Sequence, residues 1–335
     1  MKHVILFGGS FDPVHFGHLE IAKQAIKQLG ADELWFVLAA LSPFKTESAS
    51  FSDRYKMLEL MLEDSPSLKI SQIENTLPSP SYSIDTVKAL IKQNPNTKFL
   101  WLIGSDQIEN LHLWKDFETL NTLVEFVVYD RPNYDTKHNY KTISGTQYNV
   151  SSTDIRHGLS LDTSPKVLQY MMQKGLYLKS LIENKLSTYR YEHTIRVCDV
   201  AIEIAVYHNL DLNKVRLSAM FHDFAKEENP ESLKQIMQEH FKDKLNCPEA
   251  FYHGYVASYY LKNNYHILDK DVLEAIENHV SGTSTNPYAM CLYIADKCEP
   301  GRNFDSSEVI KLAKKNLNEG FKKIKEINNE YLRSK

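Results

Sequence analysis

The chain has 335 residues, 42% of them hydrophobic and 24% charged, with a formal net charge of −4; that length favours two domains over one, and the composition is that of an ordinary globular protein. A mean hydropathy of −0.41 with no long apolar run excludes a transmembrane helix, and the charge balance gives no bias toward nucleic acid or an anionic membrane. An apolar strand pattern begins almost at once, so no signal peptide is expected. The four cysteines (Cys198, Cys247, Cys291, Cys298) lack CxxC spacing and read as reduced thiols in the cytoplasm rather than as a zinc site or disulfide framework.

Residues 3–18 read HVILFGGSFDPVHFGH. Val4, Ile5, Leu6 and Phe7 are too short a run for a lone helix and too apolar for a loop, which predicts a buried parallel strand. Gly8 and Gly9 then let backbone N–H groups approach a ligand with no Cβ in the way. A helix entered just beyond them would offer unpaired N–H groups and a positive dipole end, which suits a phosphate. His15 and His18, at i and i+3, share one face of its first turn and add hydrogen-bond donors, or positive charge when protonated. The plain alternative is a Gly-rich turn with two surface histidines.

Helical spacing over 19–29 stops at Gly30. Residues 33–39 predict a second strand, followed by a loop with Ser42, Pro43, Phe44 and Lys45. Ser52 is expected to cap a helix through Leu62; 68–73 reads as a third strand and 83–93 as a helix. A fourth strand at 99–103 ends in Gly104, Ser105 and Asp106, and a fifth at 123–129 ends in Asp130, Arg131 and Pro132. Strands alternating with helices predict a parallel α/β sheet, whose ligands bind beyond the strands' carboxyl ends. GGSFDPVHFGH, SPFK, GSD and DRP all fall at such ends.

From about residue 179 strand runs vanish, and 181–186, 193–208, 214–224, 230–240, 254–263, 271–278, 288–295 and 307–331 predict an all-α domain. The domains are read as 1–179 and 180–335. The lysines of 311–325 read as a solvated face. His193 lies in YRYEHT, His222 and Asp223 in MFHDFAK, His253 in FYHGY, His279 in ENHVSG and Asp296 in YIADKCEPGR. A lone helical histidine is more often structural than a ligand, but an adjacent His–Asp pair after an apolar run is costly to bury unless paired or metal-bound. Four nitrogen or oxygen donors from separate helices can hold a divalent ion, and extra histidines admit a second. Two close metals would polarise a phosphoryl group and activate water.

The string GGSFDPVHFGH resembles the nucleotidyltransferase signature whose HxGH element binds ATP phosphates and, in its longer form, the nicotinate-nucleotide adenylyltransferase family. The resemblance covers residues 1 to about 178 and implies a Rossmann-like α/β nucleotidyltransferase domain. It implies ATP contacts at Gly8, Gly9, Ser10, Phe11, His15, His18, Gly104, Asp106 and Arg131. SYSID at 81–85 looks like the family's pyridine-nucleotide loop, which usually has Thr at the position of Ser83, and implies acceptor contacts from Tyr82, Ser83 and Asp85. Trp114 in LHLWKDF stands where the family uses an aromatic ring near the nicotinate; a core tryptophan is the alternative. VSSTDIR looks like the family's ISSTxIR, in which Ser151, Ser152 and Thr153 would cap a helix beside the ATP phosphates and Arg156 would supply a charge-assisted contact. Lys45 and Arg131 are read as substrate contacts or solvated charges.

By that resemblance the 5′-phosphate of nicotinate mononucleotide attacks the α-phosphorus of ATP, and pyrophosphate leaves. An anionic phosphate needs no general base, so catalysis is positioning and charge neutralisation, shared by His15, His18, Arg156 and a Mg²⁺ carried on the ATP phosphates. The third glycine of a dehydrogenase fingerprint and the lysine of a P-loop are absent.

In the helical half the set H…HD…D looks like the HD-domain phosphohydrolase superfamily. RYEHT, HDFAK and IADKCEPGR make it similar to the YqeK-type branch, which hydrolyses diadenosine tetraphosphate symmetrically using iron. Over residues 180–332 this implies His193, His222, Asp223, His253, His279 and Asp296 as ligands of one or two divalent ions, with Asp223 catalytic and Lys226 near phosphate. The branch commonly has YHTTG where this chain reads NHVSGTSTNPY. The combined expectation is a bifunctional cytoplasmic enzyme, alone or as a homodimer, acting on ATP, nicotinate mononucleotide and a dinucleoside polyphosphate, without a nucleic-acid or membrane partner. Two alternatives stay open: an HD domain that only binds or stabilises, and nicotinamide mononucleotide as acceptor; against phosphopantetheine, which shares the HxGH element, the SYSID and ISSTxIR-like strings argue by resemblance.

Overall fold

The computed structural model describes residues 1–40, 48–130, 138–145, 149–302 and 304–333. They form two compact units, one of residues 1–155 with 162–167 and the other of 156–161 with 168–335. The change of sequence pattern near residue 179 lies inside the second unit. Leu168, Met171 and Met172 of the helix Pro165–Lys174 are buried, and Gln169 donates to the carbonyl of His266 at 2.9 Å. No described helix is long and apolar enough to cross a membrane.

The first unit holds a six-stranded sheet: β1 Lys2–Gly9, β2 Glu33–Leu38, β3 Leu68–Ser71, β4 Thr97–Gly104, β5 Glu125–Tyr129 and β6 Lys141–Ile143. The order is β3-β2-β1-β4-β5-β6, and every pairing is parallel. β1 is central, with Phe7 opposite Phe36 on one side and Leu102 on the other. Val4, Ile5 and Leu6 are fully buried because both faces of this strand are covered. The chain runs outward from β1 through β2 to β3, then returns to place β4 on the other side of β1. The crevice above β1 and β4 is therefore the topological switch point, where open α/β sheets bind ligands.

Three local expectations change. The helix after β2 spans Phe51–Leu62 and is capped by Ser50, not Ser52. Ser50 has the extended ψ of a cap residue, and its Oγ accepts from the N–H of Asp53 at 3.1 Å, an N3 position that Ser52 inside the helix cannot reach. The fifth strand starts at Glu125 because Phe117–Leu123 is a helix that buries Leu120. The predicted 307–331 helix is two helices, Ser307–Lys315 and Leu317–Arg333. Asn316 is extended between them, and its Oδ1 accepts from the N–H groups of Asn318 and Glu319. The break lets Gly320 lie against Ala313: a Cβ at 320 would sit 2.5 Å from the Ala313 Cα. β6 carries only three residues, too few for a periodicity signal.

The second unit is a helical bundle. The helix Thr188–Tyr207 packs on Leu212–Phe221 and Pro287–Cys298, and Lys270–Asn278 packs on Pro287–Cys298 and Tyr252–Asn263. His193, His222, Asp223, His253, His279 and Asp296 are all buried where these helices converge.

Candidate functional site

In the first unit β1 delivers the chain to the helix Phe16–Leu29, with His15 as its extended N-cap. The His15 and His18 rings face each other, with centroids 3.7 Å apart and planes 32° from parallel. The His15 N–H donates to His18 Nδ1 at 3.2 Å. With Nδ1 accepting, the proton of neutral His18 sits on Nε2, as a hydrogen-bond donor. Two imidazoles and the N–H groups of a helix start thus share one place, the arrangement the sequence spacing implied.

Gly9 is required for a reason the sequence did not show. A Cβ there would lie 2.8 Å from the Phe11 ring. Phe11 itself is buried, at a positive φ of 47°, and packs edge-on against Phe7, Phe36 and His18. Its side chain is a prop beneath the histidine, so only its backbone can face a nucleotide.

A cavity of about 390 Å³ opens above the switch point, lined among others by Gly8, Gly9, Ser83, Gly104, Asp106 and Trp114. Trp114 lines this cavity and packs edge-on against Trp101 and Phe126 of the core, so the core-tryptophan alternative is met and its ring also borders open space. Ser83 opens the helix Ser83–Gln93, Asp85 pairs with Lys115 at 3.1 Å, and Tyr82 lies exposed beneath the Lys115 ammonium. Lys45 and Arg131 lie outside the described residues.

The SSTDIR segment latches onto the loop before His15. Ser152 Oγ donates to the Pro13 carbonyl at 2.8 Å, and Thr163 Oγ1 to the Val14 carbonyl at 2.8 Å. The helix cap is Ser151, whose Oγ accepts from the N–H of Asp154 at 3.0 Å, while Ser152 begins the helix that ends on Arg156. Thr153 is exposed on that helix. Arg156 falls in the second unit of the spatial division.

Sequence reasoning missed two residues here. Arg54 is buried and donates to the carbonyls of Ser10, Ala40 and Ala49, tying together the loops after β1 and β2. Glu74 lines the cavity and accepts from the Ala40 N–H, Ser81 Oγ and Thr86 Oγ1. Neither sits in a residue pattern that announces a site; both act across long sequence gaps.

In the second unit the predicted ligands converge in two lobes. In one, His193 Nε2 lies 3.4 Å from His222 Nε2, 3.3 Å from Asp296 Oδ1 and 3.8 Å from Asp223 Oδ2. In the other, His253 Nε2 lies 3.1 Å from His279 Nε2 and 3.1 Å from Asp223 Oδ1. Asp223 turns one oxygen to each lobe. Donors about 2.1 Å from a common ion are about 3.0–3.4 Å apart at octahedral to tetrahedral angles; the 3.1, 3.3 and 3.4 Å separations fit a divalent metal, and only the His193–Asp223 one, at 3.8 Å, is wider.

The charge states also fit. Burial pushes His222 down to about 4, and lowers His253 and His279 as well. Burial opposes the charge on Asp223, but the His222 ring and hydrogen bonds from His253 and His279 outweigh it and hold the carboxyl well below its usual range. Burial is likewise outweighed at Asp296, by Lys297, His193, His222 and Arg302. Neutral imidazoles with ionised carboxylates are what a metal ion binds.

Four cations ring the cluster. Arg190 Nη1 is 2.9 Å from Asp223 Oδ2, Lys297 Nζ 2.7 Å from Asp296 Oδ2, Arg302 Nη2 2.6 Å from Asp296 Oδ1, and Lys226 Nζ 3.4 Å from His253 Nδ1. Such a rim suits an anionic phosphate substrate. Arg190, Lys297 and Arg302 all lie within the quoted motifs, but spacing alone gave no reason to single them out.

The profile of the Cytidylyltransferase-like family matches residues 6–158, and that of the HD domain matches residues 190–301. A Mycoplasma genitalium protein named "Probable nicotinate-nucleotide adenylyltransferase/Ap4A hydrolase" is 30% identical over 336 residues, covering 96% of this chain and 96% of the relative. The chain belongs to this two-domain family. A Mycoplasma pneumoniae relative of the same name is 30% identical, over 93% of this chain and 95% of its own length. An Enterococcus faecalis "Probable nicotinate-nucleotide adenylyltransferase" is 39% identical over 55% of this chain and 89% of the relative. Family members thus carry the first unit with or without the helical one.

Proposed function

We infer that the protein transfers the adenylyl group of ATP to nicotinate mononucleotide, giving deamido-NAD and pyrophosphate, and that its helical unit hydrolyses diadenosine tetraphosphate to ADP. The transferase is assigned to about residues 1–179 and the hydrolase to 180–335. The observation that carries the first activity is the facing His15–His18 pair at the helix start that follows β1, whose Gly8 and Gly9 line a cavity of about 390 Å³. The second is carried by two buried donor groups that share His222, His193–His222–Asp296 and His222–Asp223–His279, with Asp223 turning one oxygen toward His193 and the other toward His253.

In the transfer, the acceptor phosphate's oxygen bonds to the α-phosphorus as the bond to the departing pyrophosphate breaks. No proton has to leave the nucleophile, so the work is alignment and neutralisation. His18 Nε2–H, the N–H groups at the start of the helix Phe16–Leu29 and, by the resemblance of its motif, Arg156 would take the triphosphate, and Mg²⁺ on the phosphates would supply further charge neutralisation. Ser83 and Trp114 line the cavity together with Gly104 and Asp106, which supports the first two as contacts to the pyridine nucleotide and the last two as contacts to ATP.

In the hydrolysis, the oxygen of water bonds to one of the two central phosphorus atoms as that atom's bond to the central bridging oxygen breaks; one half keeps the water oxygen, the other the bridging oxygen, and both leave as ADP. His193, His222, Asp223 and Asp296 would hold one divalent ion and Asp223, His253 and His279 a second, iron by resemblance. Bound there, such ions supply Lewis acidity toward phosphoryl oxygens and water. Arg190, Lys226, Lys297 and Arg302 would neutralise the flanking phosphates. Nucleotide substrates and cysteines without disulfide spacing support a cytoplasmic enzyme.

Purified protein with ATP and nicotinate mononucleotide is expected to release pyrophosphate; no release with either nicotinate or nicotinamide mononucleotide refutes the transfer. Metal-loaded protein is expected to turn diadenosine tetraphosphate into ADP alone. A metal-loaded protein that binds the dinucleotide without turnover identifies the helical unit as a binding module instead.

A further inference from the structure

We propose that Glu299 is the residue that aims His193 at the metal pocket, an assignment that rests on the metal-dependent reading above. A histidine that ligates through Nε2 commonly has its Nδ1–H held by an acceptor, which fixes both tautomer and ring orientation; His253, whose Nδ1 faces Lys226 Nζ at 3.4 Å, is the exception here. His222 and His279 each stand at the C-cap of a helix and use their own chain: Nδ1 faces the Ala219 carbonyl at 2.7 Å in one and the Ile276 carbonyl at 2.6 Å in the other. His193 has no such option. It lies inside the helix Thr188–Tyr207, where each carbonyl already receives an N–H from four residues on. Its acceptor has to come from another element, and Glu299 Oε1 stands 3.2 Å from Nδ1.

Glu299 is built for that position. It is 3% exposed, and its second oxygen is clamped by Arg196 Nε at 2.6 Å and by the Gly301 N–H at 2.6 Å. The clamp leaves no room for a side chain at 301: a Cβ there would lie 2.9 Å from Glu299 Oε2 and 2.7 Å from Arg196 Nη2. Asp296, three residues earlier, meets the opposite nitrogen of the same ring at 3.3 Å. One short stretch of chain, the end of the helix Pro287–Cys298 and the residue after it, therefore grips both nitrogens of His193. An ion pair that merely tied this turn to Arg196 would not need the other oxygen directed at an imidazole.

The test is a titration of chelator-stripped full-length protein with Mn²⁺, reading unbound Mn²⁺ by electron paramagnetic resonance. Wild type is expected to bind, and Glu299→Gln to bind about 10- to 100-fold more weakly, the usual loss when such an outer partner is removed. Arg196→Met, which keeps Glu299 but removes one of the two donors on its second oxygen, is expected to weaken binding to a smaller extent. Helical content and adenylyl transfer serve as folding controls for both variants. Glu299→Gln binding within about twofold of wild type overturns the proposal while leaving the metal site intact. Wild type that takes up no Mn²⁺ removes the metal-dependent reading and the proposal with it. If Glu299→Gln loses its helical signal, Arg196→Met decides: unchanged affinity overturns the assignment and weakened affinity supports it.

Discussion

Replacing Gly9 by alanine tests whether the ring beneath the histidine pair is a structural prop. The new Cβ would sit 2.8, 3.0 and 3.2 Å from three carbons of Phe11, against a comfortable carbon–carbon contact of about 3.5–4.0 Å. The ring cannot retreat easily, since Phe7, Phe36 and His18 surround it with centroids 5.6, 5.1 and 5.1 Å away. Overpacking of this kind costs about 1–3 kcal/mol, which in a unit of this size lowers the melting temperature by roughly 3–10 °C. Part of the strain passes to His18, proposed above to bind the triphosphate, and misplacing such a group can cost up to about 100-fold in rate. Calorimetry of the transferase transition, with kcat and KM for ATP, measures both effects. Gly9→Ala combined with Phe11→Leu should be less harmful than the sum of the single changes, because the smaller side chain relieves the clash. A Gly9→Ala protein that melts within about 1 °C of wild type, with unchanged kinetics, would refute this account of the glycine.

The other expectations concern single groups. Asp223→Asn is expected to strip metal from both lobes and lower diadenosine tetraphosphate hydrolysis by more than about 100-fold, since even outer-shell changes cost 10–100-fold, while pyrophosphate release by the other unit stays at the wild-type rate. Metal analysis that finds both ions retained would contradict the bridging role of its two oxygens. Glu74→Gln weakens the charged acceptor that holds Ser81, Thr86 and the Ala40 N–H; a loss of about 1.4 kcal/mol raises KM for nicotinate mononucleotide about tenfold. An equal rise in KM for ATP would show a general disturbance instead. For chelator-stripped protein, His222 titrates near 4 when folded against an ordinary value of 6.5. Between those values the unfolded chain binds the extra proton, so stability is full above pH 6.5 and falls as pH drops toward 4, by on the order of 3 kcal/mol from this residue. Urea unfolding of metal-free protein across that range measures it, and a flat profile would contradict a buried neutral imidazole.

Much of this protein could be read along the chain. Val4 to Phe7 announced a buried parallel strand, and the strand–helix alternation announced the crossovers, because burial on both faces leaves an apolar run that periodicity detects. The i, i+3 spacing put His15 and His18 on one turn, since helix geometry is local. The six buried donors of the helical half could be named from motifs, although nothing in their spacing said that Asp223 would serve two lobes.

Tertiary structure alone decided the rest. That Gly9 makes room for Phe11, that Ser152 and Thr163 hold the carbonyls of Pro13 and Val14, and that Arg54 and Glu74 tie separate loops together are consequences of packing between distant segments. The two-helix ending follows from Gly320 needing to lie on Ala313, a contact that no amphipathic pattern encodes. Periodicity reports which face of an element is buried; which polar atom meets which depends on how the elements are brought together, and that is settled only in three dimensions.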